Sequence, residues 1–527
     1  MQFSNKGLIA ATLLGGGAIT ALAVLGGQIT NASTDAHRFD AAALLGVGPE
    51  RDDLSAKDRA RVGSVLDLTE DFSKAERFER MQGGAATSLK KINRDAFSQS
   101  SANLSFEQEM DFKLGNALFR KLWVSSPAST HASDGLGPLF NARACQSCHL
   151  KDGRGHPPEA DSDSTSFLLR LARGPKTGDE YEALRTYAAQ NFPDRVYGGQ
   201  LQDLAVPGLA REGEIEISYE EQIVRLRGGE EVFLRKPTYT ISNLGYGPLG
   251  EGTTISPRVA NPMIGLGLVD AIHPADFIAL ADEHDADGDG VSGKLNIVTD
   301  PETKELAIGL YGWKASEATL ASQTASAFAG DIGISSKLVA NAHGDCTPAQ
   351  SDCLSMPTGV QPRLGDSEAP EPAFGLVTFY AANLAVPARR DVDDPTVLRG
   401  KELFYNTGCV ACHQPKFVTS RDAEREEHRF QLIWPYSDFL LHDMGEGLAD
   451  GQTVGRANGR EWRTPPLWGI GLTETVNGHT FFLHDGRARS LKEAILWHGG
   501  EAQMSRDRFA DLRATDRDAM IRFLESL

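Results

Sequence analysis

Long apolar runs are missing from almost all of this chain. After the stretch Gly7–Gly27, no segment is apolar for long enough to cross a bilayer. That early stretch follows Lys6 and runs to the small residues Thr30-Asn31-Ala32, so residues 1–32 read as an export signal, with an uncleaved N-terminal anchor as the alternative. No cysteine lies near it, which excludes a lipoprotein. Positive charge is also scarce: 53 Lys and Arg against 72 Asp and Glu give a net charge of −19. Nucleic acid is thereby argued against as a partner, and an anionic membrane surface would repel the chain. A periplasmic protein, without stable membrane insertion once the signal is cleaved, is the expectation. At 527 residues the chain exceeds what one core normally serves, and 54 Gly with 25 Pro imply many turns.

Only six cysteines are present, and they fall into three pairs. Cys145-Gln-Ser-Cys148-His149 and Cys409-Val-Ala-Cys412-His413 both have the Cys-x-x-Cys-His spacing of c-type haem attachment. In that chemistry two thioethers hold the porphyrin, and the adjacent histidine, here His149 or His413, takes the iron as proximal ligand. A zinc site built from the two Cys-x-x-Cys pairs is the competing reading. Two covalently bound haem c groups are therefore expected. Cys346 and Cys353 have no following histidine, and in an oxidising compartment they read as a local disulfide.

Helical periodicity precedes each haem motif, through Phe112, Gly115, Leu118 and Phe119, and again through Val397, Gly400, Leu403 and Phe404. The shared Gly-x-x-Leu-Phe suggests an internal repeat, and Arg258–Leu268 echoes Arg463–Leu472. Alternating stretches at Glu214–Tyr219 and Thr238–Ile241 read as strands inserted in the first repeat. A charged stretch near Lys74–Met81 reads as helical, and Phe374–Leu384 as a short apolar helix. The expected fold is mainly α: two cytochrome c-type domains, with a β-rich insertion in the first. The boundaries are 33–104, a segment without recognisable chemistry; 105–345, the first domain; 346–372, a proline-containing linker with the disulfide; and 373–527, the second domain.

Asp285-Ala-Asp287-Gly-Asp289-Gly290 matches the opening of a calcium loop, with oxygens at positions 1, 3 and 5 and a turn glycine at 6. Position 12 is Asn296, where an EF-hand has glutamate, so the loop is EF-like; a solvated acidic turn is the plain alternative. Candidate distal iron ligands are the later histidines His428, His442, His479, His484 and His498, and for the first haem His156 or Met263, or none.

Over roughly residues 105–527 the sequence resembles the bacterial di-haem oxidoreductase family of peroxidase type. It is more distantly similar to di-haem cytochrome c peroxidases and the methylamine-utilisation di-haem enzymes. Gly135–Pro158, Leu440–Gly445, Arg460–Leu467 and Leu483–Ala488 carry the likeness most specifically. The resemblance implies a distal ligand fourteen residues beyond His484, where the relatives have methionine and this chain has His498. It implies that the first haem is reactive, with Trp313 and Gln323 at the family's ten-residue spacing and Asp331 in the place of an acid–base glutamate. It implies electrons from an external donor, such as a small cytochrome or copper protein, and peroxide or another small oxidant as substrate. An enzyme oxidising an organic or protein substrate, and a non-catalytic electron-transfer cytochrome, are the rival readings.

Overall fold

Two glycines decide where the principal helices cross. A Cβ on Gly115 would collide with the Leu376 carbonyl, so helix Phe106–Phe119 lies directly against helix Ala373–Ala382. A Cβ on Gly400 would collide in the same way with the Ala519 carbonyl, where helix Pro395–Asn406 crosses helix Ala514–Ser526. Close backbone approach is what glycine permits and any side chain forbids. Each crossing carries a phenylalanine four residues on. Phe119 lies 6.3 Å from the His149 ring and Phe404 lies 5.9 Å from the His413 ring, so the repeated Gly-x-x-Leu-Phe builds equivalent corners. The helix at Ala373, which the sequence places at the start of the second half, thus packs on the first half.

The computed structural model describes residues 39–159 and 165–527. The expected export signal lies outside them. Residues Ala41–Leu527 form one compact unit, and no described helix is long and apolar enough to cross a membrane.

The mainly-α expectation is corrected here: about 30% of the chain is helix and 17% strand, and the fold is mixed α/β. Strands form seven two-stranded sheets among the described residues, spread over both halves and not confined to an insertion. The frequent Gly and Pro cut helical runs short, and the connecting backbone satisfies its N–H and C=O groups in short ladders instead. Lys74–Met81 likewise forms turns, not a helix.

Two of these ladders position functional residues. Strand Phe167–Ala172 pairs antiparallel with Thr254–Val259. Its two-residue period sends Phe167, Leu169 and Leu171 into the core and turns Leu168 and Arg170 to the first cavity described below. The longest ladder pairs Glu214–Arg225 with Glu231–Ser242 around Gly228 and Gly229, whose φ values of 95° and 85° suit glycine alone. This hairpin clamps the C-terminal part: Tyr239 Oη donates to Asp485 Oδ2 at 2.6 Å, and Glu230 pairs with Lys492 at 2.6 Å and Arg517 at 2.8 Å.

The segment before residue 105 wraps the second half through buried ion pairs. Glu79 meets Arg389 and Lys401, all three about 1% exposed at the side chain. Glu76 binds Lys401 at 2.8 Å and Lys416 at 2.7 Å. Cys346 and Cys353 are joined as a disulfide.

Candidate functional site

Each Cys-x-x-Cys-His segment closes one turn of helix, with His149 N donating to Cys145 O and His413 N to Cys409 O, both at 3.0 Å. None of these four cysteines is in a disulfide, and they face two separate cavities, Cys145 and Cys148 the first and Cys409 and Cys412 the second. Burial pushes the Cys145 thiol up to about 12 and that of Cys409 to about 11, and raises those of Cys148 and Cys412 as well.

The histidines are oriented alike. His149 Nδ1 lies 2.9 Å from Asn261 O and His413 Nδ1 lies 2.9 Å from Tyr436 O. A carbonyl can only accept, so each Nδ1 carries the proton and Nε2 keeps the lone pair that a metal needs. Burial lowers both pKa values, His413 to about 4, which keeps the rings neutral.

The first cavity, about 380 Å³, is bounded by Cys145, Cys148 and His149 together with Trp313, Gln323 and Asp331. Helix Leu320–Ala327 carries Gln323, and a π-type turn over Phe328–Ile332 continues it and carries Asp331. Such turns re-aim side chains at the cost of regular bonding. Asp331 Oδ1 accepts from Gln200 Nε2 at 2.9 Å, a partner the sequence does not reveal because it is 131 residues away. Glu317, hydrogen-bonded to Ser326 at 2.6 Å and raised in pKa by burial, also faces this cavity and escapes any motif. His149 is the only histidine lining it among the described residues. Met263 lines it as well, whereas His156 packs against His479 at 5.0 Å and lies outside.

The second cavity, about 180 Å³, holds Cys409, Cys412 and His413 with His442, His484, His498 and Met444. His498 follows helix Leu491–Trp497, and its Nδ1 lies 2.7 Å from Ala494 O, the same arrangement as in the two motif histidines. It lines the same cavity as His413. His442 is different. Its Nδ1 lies 2.9 Å from Glu501 and its Nε2 2.8 Å from Asp438. Burial opposes its ionisation, but Cys412 and Asp438 hold its pKa well above the ordinary value. With both nitrogens engaged as donors, His442 has no lone pair for a metal.

Trp313 and Arg463 line both cavities. Trp313 Nε1 donates to Val259 O at 2.9 Å, and its own carbonyl accepts from Arg463 N at 2.9 Å. Three buried arginines stand out. Arg154 at the second cavity, Arg258 at the first and Arg463 at both have no ion pair among the described residues, and burial lowers each to about 10. Buried cations require counter-charges. Haem brings two carboxylates, so these arginines, the thiols and the Nε2 lone pairs together fit a haem in each cavity.

Asp285, Asp287 and Asp289 bring one carboxylate oxygen each within 4.8 Å of one another. Asn296 does not join them. It is 1% exposed, its amide donates to Lys314 O and Ala315 O at 3.0 Å, and its Oδ1 accepts from Arg456 N at 2.9 Å.

Two such cavities, joined across one tryptophan, define a di-haem protein. The chain belongs to the di-haem oxidoreductase family: the family model described as "Di-haem oxidoreductase, putative peroxidase" matches residues 78–527. No curated protein matches the chain.

Proposed function

We propose that the protein is an exported di-haem c oxidoreductase of peroxidase type, with a reactive first haem and an electron-relaying second haem. The observation that carries this reading is the asymmetry of the cavities. The first offers iron one histidine, His149, beside an acid and an amide; the second offers His413 and the similarly oriented His498. Cys145, Cys148, Cys409 and Cys412 would hold the two porphyrins. Haem supplies an iron that takes up the oxidant and a couple that stores single electrons.

The chain's own residues do the rest. Gln323 orients peroxide by its side-chain amide. Asp331, with Oδ1 fixed by Gln200, takes a proton from one peroxide oxygen at its remaining oxygen and returns it to the departing one. With two electrons and two protons from outside, one peroxide becomes two waters. Trp313, between the cavities, is the electron path from the second to the first. The external donor is a small soluble cytochrome or copper protein, drawn by the net charge of −19. Calcium at Asp285, Asp287 and Asp289 is a structural part of the proposal, and the periplasm is its compartment.

The test is peroxide-dependent oxidation of a reduced artificial donor by wild type and by Asp331→Asn. Asn keeps the shape and loses the exchangeable proton. A drop of about 10²–10⁴-fold with both haems loaded is expected. An unchanged rate, or a wild type inert to peroxide in every reduction state, overturns the proposal.

A further inference from the structure

Asp331 is gripped by a segment that is itself anchored from behind. Gln200 Nε2 donates to Asp331 Oδ1 at 2.9 Å and to Asn141 Oδ1 at 2.6 Å, and Asn141 N donates to Asp331 O at 2.9 Å. Two residues on, Gln202 Nε2 donates to Gly330 O at 2.8 Å. Both glutamines are at most 1% exposed. One edge of this segment pairs with strand Phe167–Ala172, where Leu171 N donates to Gly199 O and Leu201 N to Leu169 O.

On the other edge two carboxylates stand where a further strand would be. Asp345 Oδ2 accepts from Gly199 N at 2.6 Å and from Gln200 N at 3.0 Å. Glu212 Oε2 accepts from Gln202 N at 2.6 Å, and its Oε1 accepts from Gln350 Nε2 at 2.6 Å. Burial raises Asp345 to about 6 and Glu212 to about 8. Burying acids costs stability, so their placement at both ends of one short segment calls for a reason.

Asp345 and Gln350 belong to one loop, closed by the Cys346–Cys353 disulfide. Asp345 directly precedes one cysteine and Gln350 lies three residues before the other, so the bridge ties the two anchors together. The contacts are close. A Cβ on Gly198 would collide with the Asp345 carboxylate, and one on Gly344 would lie 2.7 Å from Gly333 Cα, at the end of the π-type turn that carries Asp331.

We propose that Asp345 is a positioning residue for the peroxide reaction, and that the disulfide-closed loop holds Asp331 in place through Asp345 and Gln200. This role rests on the acid–base part assigned to Asp331 above. Asp345 lies outside the wall of the first cavity and acts through geometry alone. If Gln200 shifts, the remaining oxygen of Asp331 turns away from the peroxide, and a misplacement of about 1 Å can cost about 10²-fold in rate.

The experiment uses the holoprotein and two readouts, turnover with peroxide and the association rate of cyanide at the first haem. Cyanide arrives at neutral pH as HCN, whose proton a placed base must take, so the second readout needs no peroxide turnover. Asp331→Asn sets the scale by slowing both. Asp345→Ala should lower kcat about 10- to 100-fold and slow cyanide association similarly, with the KM for the donor unchanged. Asp345→Asn, which keeps an acceptor oxygen, should recover most of that loss. In the Asp331→Asn background, Asp345→Ala should cost nothing further, because the group it positions is gone. Cys346→Ser together with Cys353→Ser should reproduce the loss in weaker form, and this variant serves if Asp345→Ala does not fold. Unchanged rates in Asp345→Ala or in the double cysteine variant, a loss that adds in full to that of Asp331→Asn, or no recovery with Asp345→Asn would each overturn the proposal. If Asp331→Asn itself leaves both rates unchanged, the acid–base reading fails and the positioning role with it. If Asp331→Asn slows both and Asp345→Ala slows neither, the positioning role alone fails.

Discussion

The indole of Trp313 meets the imidazole of His484 edge to face, ring centroids 6.3 Å apart and planes at 75°. His484 is stacked in turn on Trp462 at 3.8 Å, with 14° between the planes. Trp313 belongs to the first half of the chain and the other two to the second, so the wall between the cavities is built jointly.

Trp313→Phe keeps the packing and removes the more readily oxidised ring and its bond to Val259. Cyanide binding at the first haem should persist, while electron transfer between the haems, followed by stopped-flow after reduction of the second, should slow at least tenfold. An unchanged transfer rate would place the path elsewhere.

His498→Ala should open the second iron, visible as loss of the low-spin spectrum of that haem. His498→Met should keep it six-coordinate and raise its potential, because thioether ligation favours the reduced state. His442→Ala should leave the ligation intact, since both ring nitrogens of His442 are engaged by carboxylates. The reverse pattern would transfer the ligand role to His442.

Glu79 links the early segment to the second half. Burial alone would raise its pKa, but Arg389 and Lys401 outweigh this and hold it below the ordinary glutamate value. Its native pKa is thus lower than its unfolded one. The stabilisation is complete above the unfolded value of about 4.3 and is lost as pH falls through the lowered native value. Glu79→Gln should cost about 3–5 kcal/mol at pH 7, as expected on removing one partner of a buried ion group. Denaturant unfolding should show that gap narrowing in strong acid; a gap independent of pH would assign the effect to packing.

Calcium is tested by chelation. A strong chelator should lower the melting temperature, calcium should restore it, and Asp287→Asn should blunt both responses. A melting temperature indifferent to chelator, with no metal by elemental analysis, would leave the three aspartates as an acidic turn.

Much of the site was legible because its chemistry is local. Cys-x-x-Cys-His is a five-residue signal, and Gly-x-x-Leu-Phe marks a helix crossing wherever the crossing occurs. The structure gathers Trp313, Gln323 and Asp331 around the His149 cavity, residues that only the family resemblance had singled out. What escaped is non-local. Gln200 reaches Asp331 across 131 residues, and His442 differs from His498 only through Asp438 and Glu501, which no spacing rule connects to it. The fold class was misread because periodicity reports helices well and two-residue ladders such as Leu432–Ile433 hardly at all. The Lys74–Met81 stretch misled for another reason. Its charges serve tertiary ion pairs, Glu76 with Lys401 and Lys416 and Glu79 with Arg389, and not a helix surface.

The unequal roles of the two haems are tested most directly by the electron paramagnetic resonance spectrum of the oxidised protein, recorded before and after cyanide. One low-spin bis-imidazole signal, from His413 and His498, should be left unchanged by cyanide. A second signal, from the His149 iron, should be converted by it. Two low-spin signals, both indifferent to cyanide, would contradict the proposed roles and make the protein an electron carrier.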